Sequence, residues 1–229
     1  MTEKHDGQLG TTALRLLAEG PTVQIMRELT DGPQRPSEIE QRLPDVAHSA
    51  LMRRLADLAH RRAVRHERIR ELPPRAFYSL TDAGRALLEI PAAAERWERR
   101  WSAQTLPDAP GAWALRLLAD EHSRAILLEL AEERLGSAEL ERRLPRYGRS
   151  ATRSRLGRLT LNGILARSED RPVRYGLTAA AHELGSITML AARWEWDWIE
   201  ERDLLTAQPR PPRQTAGAHM TPSLAQAEP

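Results

Sequence analysis

The chain has no cysteine, a single lysine (Lys4) among 34 basic residues, and a single phenylalanine (Phe77). Without thiols there are no disulfides, no thiolate metal sites and no thiol redox chemistry, which leaves seven scattered histidines as the nitrogen ligands for any metal. None of them stands in an H-E-x-x-H or comparable spacing, and no Ser, His, Asp arrangement or glycine-rich phosphate loop occurs in a fitting context. No metal, no cofactor and no enzymatic activity is therefore expected. Long apolar runs are missing as well: nothing approaches the roughly 18 uninterrupted apolar residues of a membrane span. The first ten residues are polar, so a cytoplasmic chain without membrane contact is expected. Arginine used almost to the exclusion of lysine, beside abundant Ala, Leu and Pro, matches GC-rich codon usage. With 32 acidic residues against 34 basic ones the net charge is only +2. Total charge thus says little about a nucleic-acid partner, and the clustering of the arginines has to decide.

What the sequence does have is an internal repeat. Its 229 residues, 41% hydrophobic, suffice for one large core or two small ones. Ala13-Leu14-Arg15-Leu16-Leu17-Ala18 recurs as Ala114-Leu115-Arg116-Leu117-Leu118-Ala119, an offset of 101 residues. The same offset carries Glu28-Leu29 onto Glu129-Leu130, Arg42-Leu43-Pro44 onto Arg143-Leu144-Pro145, and Arg54-Leu55 onto Arg155-Leu156. Further on, Tyr78-Ser79-Leu80-Thr81 pairs with Tyr175-Gly176-Leu177-Thr178, and Trp97 and Trp101 pair with Trp194 and Trp198, now at an offset of 97. The expected organisation is a flexible start over 1–10, one repeat over 11–105, a short Pro-containing linker over 106–110, a second repeat over 111–206, and a disordered tail over 207–229.

Within one copy, Leu14, Leu17, Ile25, Met26 and Leu29 recur at helical spacing and are broken at Gly20-Pro21, which gives two short helices before the Asp31-Gly32-Pro33 turn. Ser37-Glu38-Ile39-Glu40 reads as a capping box opening a helix that Pro44 stops. A further helix is expected over 47–62, with Leu51, Leu55 and Leu58 inward and Ser49, Arg53, Arg54, His60 and Arg61 outward. Two strand-like runs follow, 64–69 and 76–80, around Leu72-Pro73-Pro74-Arg75, and Thr81 caps a long helix through Leu87, Leu88, Trp97 and Trp101. Two short helices in which the second exposes a basic face are what a helix-turn-helix needs to reach base edges in the major groove.

This order of helix, capped helix, basic helix, hairpin and helix, together with Leu72-Pro73-Pro74-Arg75 and Tyr78-Ser79-Leu80-Thr81, resembles the bacterial HxlR-type regulators over 13–101. The likeness recurs more weakly over 114–198. The resemblance implies a mainly α fold with small β wings, here two winged helix-turn-helix domains in tandem, with operator DNA binding, commonly repression, and dimerisation through the first and last helices. Family members often carry a cysteine before the first helix, in some cases as a redox sensor, and that trigger is missing here. The usual Ser at the start of the reading helix is replaced by Ala47 and Gly148.

On this reading double-stranded DNA is the expected partner. Ser49, Arg53, Arg54 and Arg61 of the first reader and Arg75 of its wing are candidate contacts, with Arg149, Ser150, Arg153, Arg158 and Arg171 as their second-copy counterparts. Glu169-Asp170 makes the second wing acidic. Trp97, Trp101, Trp113, Trp194 and Trp198 are candidates either for a packed interface, giving an internal pseudo-dimer or a homodimer, or for an aromatic-walled pocket that takes a small apolar effector. The near-zero net charge and the missing Ser caps keep one alternative open: a winged-helix module that has given up DNA and works by protein interaction or ligand sensing.

Overall fold

A computed structural model describes residues 10–69, 75–101 and 109–200, with side chains described to 198. The expected flexible start up to residue 9, the wing-tip residues Leu72, Pro73 and Pro74, the linker residues 106–108 and the tail over 207–229 lie outside the described residues. The rest is mainly helical with two small antiparallel sheets of two strands each.

Helix α1 (Thr11–Ala18) turns Ala13, Leu14, Leu16 and Leu17 inward. Gly20 and Pro21 interrupt it, and α2 (Thr22–Glu28) follows with Ile25 and Met26 buried. Helix α3 (Pro36–Arg42) starts earlier than the Ser37 capping box predicts: Arg35 is the N-cap residue, Pro36 takes the first helical position, and Glu38 accepts the Arg35 amide at 2.7 Å. The reason is long-range. Gln34 exchanges backbone hydrogen bonds with Tyr78, so the chain is held as a strand up to the residue before the cap. Helix α4 (His48–His60) buries Leu51, Leu55 and Leu58, each at most 1% exposed, and each contributes roughly 1.5–3 kcal/mol. Strands β1 (Val64–Ile69) and β2 (Arg75–Leu80) form the hairpin, with Val64 opposite Leu80 and Ile69 opposite Arg75. Thr81 then caps α5 (Asp82–Leu87) by accepting the Gly84 amide. The single long helix expected here is divided, α6 (Glu89–Trp101) beginning after a break at Leu88. Pro91 has no N–H for the Leu87 carbonyl, and its ring crowds that turn.

The order recurs. Helices α7 (Ala112–Ala119), α8 (Glu121–Glu129), α9 (Ser137–Arg143) and α10 (Arg149–Leu161) are followed by the short strands β3 (Leu165–Arg167) and β4 (Tyr175–Leu177), with Leu135 bridging to Tyr175 as Gln34 does to Tyr78. Thr178 caps α11 (Ala179–Glu195), which has no proline, runs unbroken and ends in a π-helical turn, Trp196–Glu200. Helices α4 and α10 close with the same left-handed backbone on different residues: Arg62 takes a φ of 58° after α4, and Gly163 takes one of 71° after α10.

One buried core runs through both halves, and α1, α6, α7 and α11 meet at the seam between them. The seam contacts are reciprocal. The Trp97 indole N–H donates to the Ala180 carbonyl and that of Trp194 donates to the Ala83 carbonyl, both at 2.8 Å. Glu98 accepts the amides of Gly111 and Ala114 at 2.8 and 2.9 Å, while Glu195 accepts those of Gly10 and Ala13 at 2.8 and 2.7 Å. Neither α1 nor α7 has a side-chain cap of its own, so the carboxylate that satisfies its orphan amides comes from the last helix of the other half. Gly10 and Gly111 permit this with φ of 83° and 82°. A Cβ at Gly10 would lie 3.0 Å from the Ala192 amide nitrogen, and one at Gly111 would lie 3.1 Å from that of Glu95.

Candidate nucleic-acid interface

Helices α4 and α10 present similar outlines with different chemistry. In α4, helical spacing opposite the leucine stripe places Ser49, Arg53, Ala56 and His60 outermost, all exposed but for nearby half-buried neighbours. Among the described residues no ion pair or side-chain hydrogen bond restrains the Arg53 guanidinium. His48 at the amino-terminal end of α4 is tied to Glu40 of the support helix α3, and Arg42 at the end of α3 reaches Glu28 at 3.3 Å. The first contact ties α4 to α3, and the second ties α3 to α2. Arg61 is half-buried at the C-cap, and Arg75 stands exposed at the start of β2.

Arg54, expected as a DNA contact, is turned away from the outer face. Its side chain is 11% exposed and pairs with Glu19 at 2.6 Å and Asp57 at 3.2 Å. Arg155 does the same in the second half, meeting Asp120 at 3.0 Å and Ser123 at 3.1 Å. Both arginines lie about 140° round the helix from the outermost position, and they tie α4 to the α1–α2 connection and α10 to the start of α8.

In α10 the outermost positions belong to Ser150, Ser154, Gly157 and Leu161, the last 85% exposed. Arg153 and Arg53 are therefore not equivalent: the register partner of Arg53 is Ser154, and that of Arg153 is Met52. Arg149 and Arg153 flank the outer stripe on the side of α9, where both face Glu141, at 4.0 and 2.6 Å. Arg158 flanks it on the other side and is exposed. The loop between β3 and β4 exposes Glu169, Asp170 and Arg171 together.

The tryptophans expected to wall a pocket are in part spent at the seam. Trp97 and Trp194 are buried with their N–H groups used across the seam, and Trp113 stacks on Trp97 at a 5.6 Å centroid distance. Trp101, 36% exposed, donates to Glu183, and Trp198 is 41% exposed. Packing is what these rings do here. The reciprocal carboxylates Glu98 and Glu195 were missed by the sequence reading, although each follows a repeated tryptophan in the pairs Trp97-Glu98 and Trp194-Glu195.

Beneath α10 lies a buried polar group that also escaped notice. His122 stacks on Tyr147 with ring centroids 4.0 Å apart and meets the Thr152 hydroxyl at 3.2 Å. Burial, and then the nearby Arg155 charge, hold the imidazole below its ordinary pKa, and burial pushes the Tyr147 phenol up. Among the described residues no group of three or more His, Asp or Glu side chains could hold a metal ion, and no helix is long and apolar enough to cross a membrane.

The family match falls on the first half. A family model described as HxlR-like helix-turn-helix matches residues 16–106. The chain is 37% identical over 89 residues to the HTH-type transcriptional regulator YvaP of Bacillus subtilis (strain 168), a match covering 39% of this chain and 82% of that one. It is 30% identical over 86 residues to the HTH-type transcriptional regulator YodB of the same organism, covering 38% and 77%. The solved structure of reduced YodB aligns with a TM-score of 0.37 at 29% identity, over 39% of this chain and 88% of that one. These relatives are transcriptional regulators, a non-enzymatic class.

Proposed function

Because the chain belongs to the HxlR-like helix-turn-helix family of transcriptional regulators, we propose that it is a cytoplasmic repressor that binds operator DNA through two reading helices, α4 and α10, held by an internal pseudo-dimer of tandem winged helix-turn-helix units. The observation that carries this reading is reciprocity at the seam: Trp97 with Ala180 answers Trp194 with Ala83, and Glu98 answers Glu195. Two units related in this way present their readers as the halves of a dimer do, so one chain covers two major-groove segments about 10 bp apart. The readers divide the work. Arg53, unrestrained on the outer stripe, suits bidentate contact with guanine, while Arg149, Arg153 and Arg158 around a stripe of small residues suit phosphates. The operator is then not palindromic, and its more strongly specified half lies under α4.

The test is binding of the purified chain to the promoter region beside its own gene over a salt series. Arg53→Ala is expected to lower affinity for the preferred site about 10- to 100-fold and to relax preference at one base pair. Arg158→Ala is expected to weaken all sequences alike and to reduce the salt slope by about one. Absence of binding to that promoter and to a random pool at low salt overturns the proposal and leaves a non-DNA interaction module.

A further inference from the structure

DNA binding has no use for a charged cleft at the seam. It has a volume of about 440 Å³ and is walled by Thr11 and Arg15 of α1, by Glu121, Arg124 and Leu128 of α8, and by Arg146 of the turn before α10. Its lining holds three guanidinium groups and one carboxylate. Glu121 meets Arg146 at 3.0 Å and Arg15 at 3.6 Å. Arg124 is only 8% exposed, and among the described residues its hydrogen-bond partner is the Leu118 carbonyl at 3.3 Å. Burial and then the Arg15 charge lower its pKa, against the opposing pull of Glu121, Tyr147 and Glu195. The Thr11 hydroxyl, also buried, has no hydrogen-bond partner among the described residues. Against the same Arg124 and Leu128 lies a second cleft of about 390 Å³, and its wall is apolar, with Leu127, Leu184 and Met189.

We propose that these adjoining clefts bind a small amphipathic organic anion, a carboxylate carrying an apolar chain or ring. Its head sits among Arg15, Arg124 and Arg146 in place of Glu121, and its tail lies along Leu127, Leu184 and Met189. Glu121 is then the internal stand-in for the head group. The first half has no such site, because Gly20, Val23 and Asp45 hold the register positions of Glu121, Arg124 and Arg146. Arg146 also connects the site to the second reader. It belongs to the Pro145–Tyr147 turn that feeds α10, lies 4.6 Å over the Tyr147 ring, and through that ring bears on His122. A head group that draws Arg146 away from Glu121 shifts the start of α10. This coupling rests on the DNA-binding reading, whereas the binding of the anion does not.

The experiment is isothermal titration of the full chain without DNA, using octanoate and 4-phenylbutyrate, with 4-phenylbutyramide as the uncharged counterpart. Saturable one-to-one binding of a carboxylate and none of the amide is expected. Glu121→Gln should tighten binding about 3- to 10-fold by removing the competing carboxylate, and Arg146→Ala should weaken it about 10-fold or more. Arg146 is exposed, so its loss does not threaten folding, and Met189→Asp, at a 74% exposed position, reads the tail independently. The site is overturned if neither carboxylate binds, or if Arg146→Ala and Glu121→Gln both leave the affinity unchanged. Carboxylate binding that leaves the affinity of the chain for its promoter unchanged overturns the coupling alone.

Discussion

The space beneath the reading helix is filled differently in the two halves. Under α4 the register positions hold Pro21, Val46 and Leu51, and under α10 the same three positions hold His122, Tyr147 and Thr152. The seam shows the opposite behaviour, with Gly10 and Gly111, Trp97 and Trp194, and Glu98 and Glu195 making the same contacts from either side. The difference follows from how many partners a side chain must satisfy. A seam residue answers to both halves at once, because the amides it caps belong to the other half. A residue under one reader answers only to its own, and can change once its neighbours do.

The strongest way to break that comparison is at the caps. Glu98→Ala and Glu195→Ala should each cost about 2–4 kcal/mol in urea denaturation, since each strands two buried helix-terminal amides. The two costs should agree, and a large inequality would mean that the seam is not equivalent on its two sides. A smaller effect sharpens the contrast beneath the readers. His122 is held below its ordinary pKa in the folded chain, so the neutral ring is favoured there and the imidazolium is favoured in the unfolded chain. Its contribution is intact above about pH 6.5 and is lost as the pH falls further. The melting temperature should therefore drop between neutral and mildly acidic pH, and His122→Phe, which keeps an aromatic ring on Tyr147, should shed part of that drop. An unchanged slope in the variant would remove His122 from the account. The smallest effect is at the helix ends. Arg62→Gly should raise stability by about 0.5–1 kcal/mol, and Gly163→Ala, with open space around its Cβ, should lower it by about 1 kcal/mol, both by thermal melts.

Element order was legible in the sequence because its signals are local. Apolar spacing located α4, Gly20-Pro21 separated α1 from α2, Thr81 marked the start of α5, and the repeat offset carried the same signals onto α10 and Thr178. The start of α3 was misplaced because a strand pairing with Tyr78, some forty residues away, decides it. The break before α6 was visible in Pro91 and went unread. The inward turn of Arg54 depends on Glu19, which lies on no regular element, and periodicity carries no sign of it. Arg153 was set beside Arg53 for its residue type, although the 101-residue offset pairs Arg53 with Ser154. The tryptophans fell between two readings because ring packing and ring-lined cavities have the same composition. Only the positions of their N–H partners separate the two.

Because both sides of the seam belong to one chain, every substitution is made once. In an assembly of two identical chains, a residue change appears on both sides of the two-fold axis, and one that helps at one site while harming its mate is discarded. Here Thr12 can stand opposite Trp113, and Arg124 opposite Val23, without either having to suit two places. Each half, outside the seam, is free to acquire its own chemistry while the caps that hold the halves together stay matched.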